Sequence, residues 1–239
     1  MAEQMTEQQL SFQERQNTGT TWTNNNFFEE NGYLVVNNLW DPKELYRPVP
    51  KERGQINYWG KRLDQFIHIQ VEEQVEGSVA YYWHPQYRMI HSGIRIKLEK
   101  ELGRRLYNTY YYDRFYFPGQ ELKRHVDRDA CEISVTIHAS TNLKTPWPIW
   151  IKTPDIYSDK ERTSIVRKGK NVSVNLNAGD GMIYKGCERP HWRDPMPIEY
   201  EKTWYGRKVE KDGLYYHQIF FHYVLADGQR SHYANDALK

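Results

Sequence analysis

Six short segments after residue 106 are rich in β-branched and aromatic residues, and each is closed by Pro, Gly or polar turn residues: YNTYYYDRFYF, CEISVTIHA, WPIWIK, NVSVNLN, GMIYKG and YYHQIFFHYVL. Strands this short, separated by turns, can bury their apolar faces only by pairing into facing sheets, which predicts a sandwich, barrel or jelly roll. The 19 Tyr and 8 Trp suit a half-buried pleated surface better than a helix bundle, which argues against an all-α fold. One helix precedes the strands. Ile90, Ile94, Leu98 and Leu102 recur every four residues, and Gly103 supplies a stop. Upstream, Tyr33–Val36 reads as a β-prone run and Pro42, after Asp41, opens a helical turn. Residues 45–60 read as a loop, and 63–85 mix helix and strand signals. The Gln- and Asn-rich start, residues 1–25, is expected to be a loosely attached tail to a single domain spanning 26–239, with its β core at about 107–225.

Lys and Arg number 33 against 31 Asp and Glu, a net charge of +2, which gives no reason to expect nucleic acid as a partner. The two cysteines, Cys131 and Cys187, are too few for a disulfide framework and point to a reducing, cytoplasmic setting. Each stands near the motif described next and reads as a buried small hydrophobe. No stretch is long and apolar enough to span a bilayer, so a soluble protein is expected.

In YFPGQELKRHVD, His125 and Asp127 are two residues apart, so an extended chain presents an imidazole and a carboxylate to the same side. A third ligand must come from another strand, and His138, His191, His217, His222 and His232 are the candidates. His191 stands out because LNAGDGMIYKGCERPHWRDP places it after a strand, a turn and a second short strand. Two histidines and one carboxylate leave open positions on an octahedral iron.

The run Tyr116–Asp127, with its tyrosine, Pro-Gly turn and His-x-Asp, resembles the prolyl-hydroxylase-like branch of the iron(II)- and 2-oxoglutarate-dependent dioxygenases. The segment ending at His191 resembles the part of that superfamily that brings the distal histidine. The resemblance implies a mainly β (α+β) fold, a double-stranded β-helix (jelly-roll) core with flanking N-terminal helices. It also implies an Fe(II) centre on His125, Asp127 and His191, with 2-oxoglutarate and dioxygen as cosubstrates and ascorbate as reductant. The activity implied is hydroxylation of a C–H bond in a peptidyl or small-molecule substrate. The alternative is a non-catalytic jelly-roll binding protein whose metal site is vestigial or differently occupied.

In that branch a basic residue nine or ten positions after the distal histidine holds the distal carboxylate of 2-oxoglutarate, but here those positions are Tyr200 and Glu201. Arg193, Lys202 and Arg207 are the substitutes. Arg193 shares strand parity with His191 and can grip a carboxylate through two parallel hydrogen bonds, so it is the expected anchor. Lys202 and Arg207 lie in a charged segment that reads as a surface insertion. By resemblance, Tyr116 hydrogen-bonds the same carboxylate. On the strand after the motif, Glu132, Ser134, Thr136 and His138 alternate with Cys131, Ile133, Val135 and Ile137, so the polar set lines either solvent, the default expectation for an antiparallel strand, or a polar jelly-roll cavity that holds the dianion.

Overall fold

Each predicted β segment forms a strand. The computed structural model describes residues 27–51, 54–57, 74–158 and 163–236. The tail expected over residues 1–25 lies outside them. Before the β core stand helix α1 (Phe27–Asn31), strand β1 (Tyr33–Val36) and helix α2 (Pro42–Leu45). Asp41 caps α2, its carboxylate accepting from Lys43 N at 2.9 Å. Residues 45–60, read as a loop, contain strand β2 (Gly54–Asn57), which pairs in parallel with β3 (Val79–Tyr82); pairing overrides the weak local propensity there.

Helix α3 (Arg88–Leu102) ends at Gly103, whose φ of 64° provides the left-handed turn that favours glycine. Its Ile90, Ile94 and Leu98 are buried against Ile133, Val135, Ile137, Ile219 and Phe221 of the sheet beneath. Burying each such side chain stabilises the fold by about 1.5–3 kcal/mol.

The remaining strands are β4 (Leu106–Tyr116), β5 (Leu122–His125), β6 (Ile133–Thr141), β7 (Ile149–Lys152), β8 (Ile156–Tyr157), β9 (Ile165–Arg167), β10 (Asn171–Val174), β11 (Gly181–Tyr184), β12 (His191–Arg193), β13 (Tyr200–Lys202), β14 (Lys208–Glu210) and β15 (Tyr216–Leu225). A seven-stranded sheet runs β1-β11-β6-β15-β4-β3-β2 and a four-stranded sheet runs β10-β7-β12-β5. Apart from the β2–β3 pair, the pairings are antiparallel. From β4 to β7 the chain alternates between the two sheets, and from β10 to β15 it alternates again. This is a double-stranded β-helix, or jelly roll.

Sheet parity then sorts the side chains. On β6, Ile133, Val135 and Ile137 face α3, while Ser134, Thr136 and His138 face the interior between the sheets. All three polar residues are buried, which corrects the expectation that they face solvent. With a helix covering one side and a second sheet facing the other, neither face of β6 reaches water from Ile133 to Ala139.

Candidate metal centre

The cross-strand register of β12 and β5 places His191 directly opposite His125. Their ring centroids are 4.3 Å apart. Asp127, just past the end of β5, is fixed by its backbone N–H, which donates to Gly186 O at 2.9 Å. Asp127 Oδ1 then lies 3.4 Å from Nε2 of both His125 and His191. One ligand atom from each of the three residues lies within 4.8 Å of the others.

Backbone carbonyls set the imidazoles. His125 Nδ1 donates to Lys123 O at 2.7 Å, and His191 Nδ1 donates to Arg189 O at 2.9 Å. With Nδ1 so engaged, each neutral ring keeps its Nε2 lone pair for the centre. The other carboxylate oxygen, Asp127 Oδ2, accepts from Ser134 Oγ at 2.9 Å, and that hydroxyl lies 2.9 Å from His222 Nδ1. Burial by itself pushes the Asp127 carboxyl up, but the two histidines beside it, His191 most of all, outweigh burial and hold the group well below the carboxylate range. Burial lowers His191, yet Asp127 outweighs that and raises it. Two imidazole nitrogens and an ionised carboxylate form a donor set suited to a divalent transition metal such as iron(II).

Two guanidinium groups are buried in the same interior. Arg193 is 1% exposed and lies between Trp147 and Tyr216, its guanidinium carbon 4.6 Å from each ring centroid. It donates to Trp147 O and, at 3.2 Å, to Tyr216 Oη, while its Nε has no partner. Arg114, also 1% exposed, projects from β4 and donates through Nη1 to Gln74 Oε1 at 3.1 Å and Tyr116 Oη at 3.4 Å. Its Nε is likewise unpartnered. Among the described residues neither arginine pairs with a carboxylate, and a cation buried that way costs several kcal/mol unless an anion joins it.

The structure separates the other candidates. His138 is buried, donates through Nδ1 to Leu176 O at 2.7 Å and stacks on Tyr216. His217 faces away from the interior and meets Asp113 at 2.8 Å, in a buried cluster with Arg47. His232 lies in a short helical turn near the C-terminus. Lys202 and Arg207 are exposed on and beside the β13–β14 hairpin, where Tyr200 and Glu201 are exposed too. Tyr116 is fully buried, edge-on to Trp147. Both cysteines are free; Cys131 is buried, whereas Cys187 is only half-buried, because it sits in the turn leading to His191 and its thiol reaches Arg128 O.

Sequence reasoning missed Arg114, Gln74 and Gly186, and it named His222 only as a candidate ligand, whereas His222 meets the Ser134 hydroxyl that holds Asp127. Alternation along β4 places Arg114 with Tyr110, Tyr112 and Tyr116, but the opposite face is just as aromatic, so parity alone does not mark it.

No family model matches the chain, and no curated protein does. Among solved structures, the chain superposes on the non-heme alpha ketoglutarate dependent carbocyclase SnoK from nogalamycin biosynthesis with a TM-score of 0.51 at 16% identity, over 92% of this chain and 96% of that one. A Pseudomonas putida prolyl-4-hydroxylase gives 0.49 at 15% identity, over 82% and 95%. The epimerase SnoN gives 0.48 at 12%, over 82% and 78%. The likeness to SnoK establishes a shared jelly-roll fold. Among the described residues no helix is long and apolar enough to cross a membrane.

Proposed function

We propose that this chain is an iron(II)- and 2-oxoglutarate-dependent oxygenase that hydroxylates a C–H bond of a small-molecule or peptidyl substrate. The observation that supports this reading most is the convergence of His125 Nε2 and His191 Nε2 on Asp127 Oδ1. In this reading those three residues hold the iron. Bound there, the metal supplies the redox chemistry that couples dioxygen and 2-oxoglutarate to substrate hydroxylation, with succinate and carbon dioxide as coproducts.

The chain's own groups do the positioning. Lys123 O and Arg189 O hold the two rings in the tautomer that ligates through Nε2. Ser134 holds Oδ2 of Asp127, leaving Oδ1 for the metal. Arg193 neutralises the distal carboxylate of 2-oxoglutarate, and the rings of Trp147 and Tyr216 keep water from that pair. The Tyr116 hydroxyl donates to the same carboxylate. Ascorbate keeps the iron reduced.

The test is succinate release from 2-oxoglutarate by purified protein with Fe(II) and ascorbate, alone and with panels of free amino acids, peptides and nucleobases. We expect slow release by the wild type, stimulation by the substrate's chemical class, and none by Asp127→Ala. A wild type that binds metal and 2-oxoglutarate yet releases no more succinate than Asp127→Ala under every condition is a binding protein instead.

A further inference from the structure

The carboxamide of Gln74 spans the gap between a buried cation and a metal ligand. Its Oε1 accepts from Arg114 Nη1 at 3.1 Å, and its Nε2 lies 2.8 Å from His125 Nε2. Because His125 Nδ1 donates to Lys123 O, Nε2 of the neutral ring is an acceptor, and Gln74 donates to it. The lone pair that would bind a metal is therefore capped by an amide whose oxygen answers Arg114. A carboxamide and a carboxylate have the same planar shape.

We propose that Gln74 is an internal placeholder for a carboxylate, and that Arg114 is the residue that binds this carboxylate next to the metal. The ligand chemistry is a carboxylate that reaches Arg114 with one oxygen and the metal with the other, as the oxo-acid end of a 2-oxo acid would. Three features carry the inference: Arg114 is 1% exposed, it has no carboxylate partner among the described residues, and its Nε is orphaned. Asp127, the nearby acid, is already shared between two histidines and Ser134. Loading the centre requires Gln74 to swing away, which frees His125 Nε2 and Arg114 together. Arg193 and Arg114 thus divide the labour, one at each end of a dicarboxylate. The proposal rests on the oxygenase reading for the identity of the ligand, but not for the roles of Arg114 and Gln74.

The test uses Mn(II)-loaded full-length protein and calorimetric binding of oxalate, which has a chelating end and no distal carboxylate, alongside 2-oxoglutarate. Arg114→Gln should weaken both ligands about tenfold or more, as loss of a charge-assisted hydrogen bond does, and Arg114→Lys should restore part of the loss. Gln74→Ala should tighten oxalate, because a competitor is gone. Arg193→Ala should weaken 2-oxoglutarate but not oxalate. A purely structural role for Arg114 and Gln74 would not move their variants in opposite directions. Unchanged oxalate affinity in Arg114→Gln, or weaker affinity in Gln74→Ala, overturns the proposal. Gln74 is only half-buried, so its arm decides even where an Arg114 variant does not fold. A wild type that binds oxalate with these responses but ignores 2-oxoglutarate supports the Arg114 site and rejects the oxygenase reading.

Discussion

A β-carbon at Gly186 would stand 2.5 Å from Asp127 Oδ2, so the bare backbone of Gly186 is what lets the carboxylate lie against the turn after β11. The same atom would lie 2.5 Å from Ser134 Oγ and 2.3 Å from Cys131 O. Gly186→Ala must therefore displace the carboxylate or the hydroxyl that holds it. We expect metal affinity to fall about 10- to 100-fold, the usual cost of losing an outer partner of a ligand, with the circular dichroism spectrum retained. Unchanged affinity in a metal titration would show that Asp127 does not depend on this packing.

Arg193→Ala is expected to raise the dissociation constant for 2-oxoglutarate while leaving metal affinity intact. Removing one partner of a buried, hydrogen-bonded charge pair costs on the order of 3–5 kcal/mol, or about 100-fold and upward in affinity. Arg193→Lys should recover part of this, since an ammonium cannot form the two-pronged contact. Lys202→Ala and Arg207→Ala, on the exposed hairpin, should change little. Normal 2-oxoglutarate binding by Arg193→Ala would move the anchor elsewhere.

Stability should fall in mild acid. Burial lowers the imidazoles of His91, His138 and His222 from 6.5 to about 3, about 4 and about 4. Below pH 6.5 the unfolded chain takes up protons that these folded rings refuse until about pH 4, so the stability they confer is complete above 6.5 and lost as pH falls through that window. Each contributes a slope approaching 1.4 kcal/mol per pH unit, an order-of-magnitude figure. In metal-free protein His191, raised by Asp127, acts in the opposite sense: its contribution is present at low pH and lost as pH rises through its raised value. Burial lowers His84 and His217 as well, so the imidazoles that lose stability on acidification outweigh His191. Urea midpoints measured from pH 7 to 4.5 check this; a flat profile would mean the three rings are solvated.

The six β segments after residue 106, α3 with its glycine stop, and the inward parity of Arg193 with His191 were legible, because each follows from a local period or a local breaker. Which face of β6 meets water was not. Alternation distinguishes two faces without saying what covers them, and here α3 covers one and the second sheet the other. Arg114 was hidden because YYYDRFYF is aromatic on both faces. Gln74 was hidden because it meets His125 across 51 residues of chain, from a stretch with mixed signals. Gly186 reads as an ordinary turn residue until the atoms beside it are seen.

Whether His125, Asp127 and His191 form one metal centre is decided by anaerobic Fe(II) titration of the wild type against His125→Ala, Asp127→Ala and His191→Ala. One tightly bound iron per wild-type chain and a marked loss of affinity in each variant are expected. Wild-type stoichiometry and affinity retained in all three variants would contradict it.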